Sequence, residues 1–148
     1  MARTIGLPQE IYLQVMRLAD LSGLSIVDLV SKLVKAEALS RRLPLELPCW
    51  RVKSDEQAVI FECADAGIHR RWSLETARQA ADTLEGLSVQ PPASKPSSTL
   101  VVADLLFERR GPGVRIRCSL TGASRMMARC VAVELAALLR HAADVSAI

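Results

Sequence analysis

The sequence predicts an α+β protein in two parts: a strand-helix-helix module, then a ββα-ββα pseudo-repeat domain with a four-stranded antiparallel sheet and two helices. Three observations carry this. Apolar residues recur at helical spacing in two stretches before residue 40. The segment Val59 to Ala77 returns forty-six residues later as Leu105 to Ala123, with Phe, Glu, Gly, Arg, Ser, Leu and Ala in register without a gap. Proline-bearing stretches at 43–49 and 89–98 separate the parts. The expected boundaries are 1–43 for the first module, 44–49 for a linker and 50–148 for the repeat domain. Within the last, units 50–88 and 99–148 are joined by the Pro/Ser linker 89–98.

Taken in order, Arg3 to Leu7 alternates, so Ile5 and Leu7 share one strand face and Thr4 and Gly6 the other. Pro8 suits the first position of a helix, where its missing N–H costs nothing. Ile11, Val15, Leu18 and Ala19 then follow at helical spacing. Gly23 is placed to end this helix in the left-handed conformation, and Ser25 to cap the next one. Val27, Val30, Leu33, Val34 and Ala38 form the second apolar stripe, which ends near Arg41 and Arg42, cations well placed at a helix C-terminus. One short strand and two helices cannot close a core, so a homodimer or higher even oligomer is expected.

The order of strand, Pro-led helix, Gly-Leu-Ser turn and helix over residues 2–40 resembles the ribbon-helix-helix family of DNA-binding proteins, to which the Arc and MetJ repressors belong. The resemblance implies a dimer whose paired N-terminal strands enter the major groove of double-stranded DNA. Ala2, Arg3, Thr4 and Gly6 would then be the base-facing residues. Ser25 and Ile26 would anchor a phosphate on the helix N-terminus, and Arg41 and Arg42 would add backbone contacts. Only Thr4 and Arg3 bring polar groups to this ribbon, which implies modest sequence specificity.

Each repeat unit reads as strand, glycine turn, strand and helix, with Ser73 and Ser119 as caps. The first helix shows Leu74, Ala77, Ala81 and Leu84 and is expected to stop at Gly86. The second is expected over 120–142, with Met127, Val131, Leu135 and Leu138 in its stripe. Cys118 stands at the repeat position of Trp72, which marks both as core. Arg71, Arg115 and Arg117 fall where a sheet face could carry cations, interleaved with Glu62 and Glu108.

Composition limits the chemistry. The net charge is +3, and residues 1–46 hold six basic against five acidic side chains, far from a strongly basic nucleic-acid binder. Aromatics are too scarce for a base-stacking platform. No apolar run reaches the length of a membrane span, and no secretory signal is read, so a cytoplasmic protein is expected. The four cysteines lack C-x-x-C pairing and read as reduced thiols. His69 and His141 have no Cys or His at ligand spacing, so neither a metal nor another cofactor is expected. No G-x-S-x-G elbow, phosphate loop or dinucleotide fingerprint occurs, and Glu62 with Glu108 is read as shared architecture. The expectation is therefore not an enzyme but a dimeric DNA-binding transcriptional regulator, with a C-terminal domain for assembly, sensing or partner binding. The alternative is a protein-binding adaptor or inhibitor, antitoxin-like or encoded by a mobile element, that uses the first module only to dimerise.

Overall fold

A computed structural model describes residues 3–43, 47–89 and 99–146, with side chains from 102 onward in the last segment. Two compact units divide the chain, residues 1–46 and 47–148. The first contains α1 (Gln9–Ser22) and α2 (Ile26–Ser40). Pro8 precedes α1, and Gly23 closes it in the left-handed conformation while the Leu24 N–H returns to the Ala19 carbonyl at 3.0 Å. Ser25 caps α2 by accepting from the Asp28 N–H at 3.1 Å.

The N-terminal ribbon is not formed. Among the described residues, 3–8 carry no strand and lie exposed; the first unit is two helices. The physical reason is the ladder itself: a strand's N–H and C=O groups need a partner strand, neither helix offers an edge, and Pro8 has no N–H to give.

The second unit contains β1 (Arg51–Asp55), β2 (Ala58–Cys63), a short 3-10 turn, β3 (Ile68–Ser73) and α3 (Leu74–Ser88). Then come β4 (Thr99–Val102), β5 (Leu105–Arg110), β6 (Gly113–Cys118), β7 (Ser124–Ala128) and α4 (Arg129–Ser146). The repeat survives as register. Val59↔Trp72, Phe61↔Arg70 and Cys63↔Ile68 on β2–β3 return as Leu105↔Cys118, Phe107↔Ile116 and Arg109↔Val114 on β5–β6.

The expected single four-stranded sheet, with two strands from each unit, does not form. Among the described residues there are two separate antiparallel sheets, of order β1-β2-β3 and β4-β5-β6-β7. Each hairpin has acquired its own flanking strands, so the hairpins have no reason to pair with each other. β1 carries Arg51 and Lys53, charges that suit an edge. β7 comes from a stretch expected as helix: α4 begins at Arg129, not near residue 120, because Gly122 turns the chain at φ 74° and sends Ser124–Ala128 back along β6. Ser119 accordingly caps no helix and donates instead to the Asp104 carbonyl at 2.9 Å. α3 passes through Gly86 to Ser88. Pro44 to Glu46 of the first expected linker, and 90–98 of the second, lie outside the described residues.

α3 and α4 pack side by side, and each touches strands of both sheets. One core therefore joins Val59, Phe61, Ile68 and Trp72 of the first sheet to Leu105, Phe107, Val114 and Ile116 of the second. Phe61 stacks on Trp72 at 4.6 Å and on Trp50 at 5.4 Å between ring centroids. Arg140 of α4 spans to α3, meeting Asp82 at 2.7 Å and also Glu85, while Arg78 reaches Asp144 at 3.3 Å. Among the described residues no helix is long and apolar enough to cross a membrane.

Candidate functional site

In the first unit the two helices bury little. Among the described residues of this unit, Ala19 of α1 and Leu29 of α2 are the buried apolar side chains. Most of both amphipathic stripes stays in solvent. Ile11, Leu18 and Leu21 are exposed on α1, as are Val27, Val30, Leu33 and Val34 on α2, and Leu21 reaches 78% exposure. Single exposed leucines need no explanation, but two uncovered stripes in one small unit form an apolar surface.

The residues expected to read DNA are spread around this unit. Arg3, Thr4 and Gly6 lie in the exposed stretch before α1, where Ile5 is 86% exposed; Ala2 lies outside the described residues. Ser25 spends its hydroxyl oxygen on the α2 cap, and Ile26 opens the helix. Arg41 is held by Glu37 at 2.6 Å, whereas Arg3 and Arg42 make no ion pair among the described residues.

The structure does not bring Arg71, Arg115 and Arg117 onto one sheet. Arg71 sits on β3 and meets Asp55 at 3.3 Å; Arg115 and Arg117 sit on β6, and Arg115 pairs with Glu108. On the first sheet His69 and Arg51 both face Glu62, at 2.8 Å and 3.9 Å. These cations are largely answered by neighbouring carboxylates.

A cluster that sequence reasoning missed lies where the two sheets meet. Arg70 of β3 donates from Nε to Asp104 Oδ1 at 2.8 Å and from Nη2 to Cys118 Sγ at 3.2 Å. The turn after β6 adds donors: the Thr121 side chain and N–H and the Leu120 N–H act on the same sulfur, and with Arg70 they bring the Cys118 thiol down to about 7. Burial works against them. Arg70 likewise holds the Asp104 carboxyl below its ordinary value. The repeat position of Trp72 marked Cys118 as core, but nothing near it in sequence announced an arginine from the other sheet.

Among the described residues no group of three His, Cys, Asp or Glu side chains could hold a metal ion. No family model, no curated protein and no solved structure matches this chain.

Proposed function

We propose that this chain is a non-enzymatic protein that works as a homodimer or higher even oligomer, assembled through its N-terminal helical pair, and that its α+β unit carries the contact to a protein partner. The observation behind this reading is the uncovered apolar surface of α1 and α2. A unit of this size is close to the limit of about 40 residues below which chains usually need outside help to fold. Two buried residues cannot offset the ordering of two helices. A second copy is the fitting occupant, because six basic and five acidic residues leave almost no net charge to repel a like surface. Analytical ultracentrifugation of the full chain tests this. Dimers are expected at micromolar concentration, and Val30→Asp with Val34→Asp should give monomers whose α+β unit keeps its near-ultraviolet Trp signal. A monomeric unaltered chain over that range would sink the proposal.

A second reading, a regulator that binds double-stranded DNA as a dimer, is favoured by one specific observation. The capped N-terminus of α2 and the exposed cations Arg3 and Arg42, without an ion pair among the described residues, lie in the same small unit. Selection from a randomised duplex library between about 50 and about 200 mM salt decides it. Enrichment that weakens with salt and is lost in Arg3→Ala/Thr4→Ala supports DNA binding; no enrichment leaves the adaptor reading alone.

A further inference from the structure

Arg109 occupies a core position with two of its three guanidinium nitrogens unmet among the described residues. By the shared register of the two hairpins, its counterpart in the first unit is Cys63, a small and fully buried side chain. Arg109 is itself only 1% exposed. It follows Leu105 and Phe107 on the inward face of β5, opposite Val114 of β6, which in turn faces Met127 of β7. Its Nε and Nη1, which carry three of the five guanidinium N–H donors, have no hydrogen-bond partner among the described residues. Other arginines of the α+β unit each have a carboxylate: Arg70 holds Asp104, Arg125 holds Asp65, and Arg115, though its Nε is also unmet, holds Glu108. Glu108, the adjacent residue, cannot help, because alternation turns it to the opposite face, where Arg115 engages it.

The electrostatics deepen the imbalance. Burial pushes the Arg109 guanidinium below its ordinary value, and the like charge of Arg129, the first residue of α4, adds to that push. A buried cation with unmet donors is among the least favourable groups a core can hold, and charged N–H donors of this kind are best answered by the oxygens of an anion. The geometry points to an oxyanion-binding site at the inward end of β5: the buried Arg109 guanidinium takes a small oxyanion of the phosphate or carboxylate type. This goes beyond the proposed function, since it assigns a ligand to the α+β unit and depends in no way on the N-terminal helices.

The test is a titration of the full chain with sodium phosphate and, separately, sodium acetate, against sodium chloride at matched ionic strength. Thermal unfolding and the Arg109 Nε–H resonance are the readouts. A saturable rise in the unfolding midpoint with phosphate or acetate, accompanied by a shift of that resonance, is expected. Arg109→Met should abolish the rise, and Arg109→Lys, which keeps the charge but loses the Nε–H and Nη1–H donors, should weaken binding about tenfold or more. Should Arg109→Met fail to fold, the resonance of the unaltered chain and the Arg109→Lys titration still decide. No saturable response to either anion, or an undiminished response in Arg109→Met, overturns the site. A response to phosphate alone assigns it to phosphate-type anions, and one to acetate alone to carboxylates.

Discussion

The charge on the Cys118 sulfur is set by residues that the chain brings from two directions. The Thr121 and Leu120 donors come from the turn that follows it, and Arg70 comes from the other sheet. Because the folded thiol ionises at about 7 and the ordinary value is 9.0, the folded state carries fewer protons than the unfolded state between those limits. Stability contributed by this thiolate therefore rises with pH across that window, is complete above it, and is lost as pH falls through the folded value. Difference absorbance at 240 nm between the unaltered chain and Cys118→Ser should show one thiolate forming near neutral pH, and Cys118→Ser should flatten the rise in unfolding free energy. Arg70→Ala should move the ionisation upward, with less effect than Thr121→Val, since the Thr121 donors act most strongly. The core placement of Cys118 was legible from the repeat; its ionisation was not, because that depends on Arg70, forty-eight residues away. Arg109 teaches the reverse. Its parity with Leu105 and Phe107 places it inward and is readable from sequence, whereas the absence of acceptors for its Nε and Nη1 among the described residues is visible only in the fold.

Elements follow their local signals where backbone chemistry dominates. Ser25 and Ser73 both became N-caps as their positions imply, the latter accepting from the Thr76 N–H at 3.1 Å and donating to Thr76 Oγ1 at 2.9 Å. Ser73→Ala should cost about 1 kcal/mol in urea unfolding. The failures came where tertiary pairing overrode pattern. Ser119 had the same apparent role, but Thr121 and Gly122 break the helix that should follow, and Ser124–Ala128 finds ladder partners on β6. Methionines and alanine there read equally well as helix or strand, so periodicity could not arbitrate. The β6–β7 pairing is close enough to leave its mark on Gly113, where an added Cβ would stand 2.5 Å from the Met127 carbonyl oxygen. That contact is with backbone, which cannot step aside cheaply. Gly113→Ala should therefore destabilise the α+β unit by about 1–3 kcal/mol, measured by the same denaturation. Gly67, at the matching repeat position, meets nothing and serves only its left-handed turn.

Across the whole molecule, the two units differ in what holds them. The α+β unit closes a core of its own, with Phe61, Trp72, Phe107, Leu135 and Leu139 almost wholly buried. The helical unit has Ala19 and Leu29. That contrast also explains why the sequence was a better guide to the two helices than to the ribbon: amphipathic stripes are visible in apolar spacing, whereas strand pairing depends on what stands opposite. If a second copy covers α1 and α2, the stability of this unit must follow mass action, while that of the α+β unit need not. Thermal unfolding followed by far-ultraviolet circular dichroism should accordingly show two transitions. The helical one should rise in midpoint with protein concentration over a hundredfold range, and the near-ultraviolet transition, reporting Trp50 and Trp72 of the α+β unit, should stay fixed. Val30→Asp/Val34→Asp should remove the concentration-dependent transition and leave the other in place. Two transitions that both ignore concentration would mean that the helices fold without a second copy, and the apolar surface would then have to be kept for a different partner.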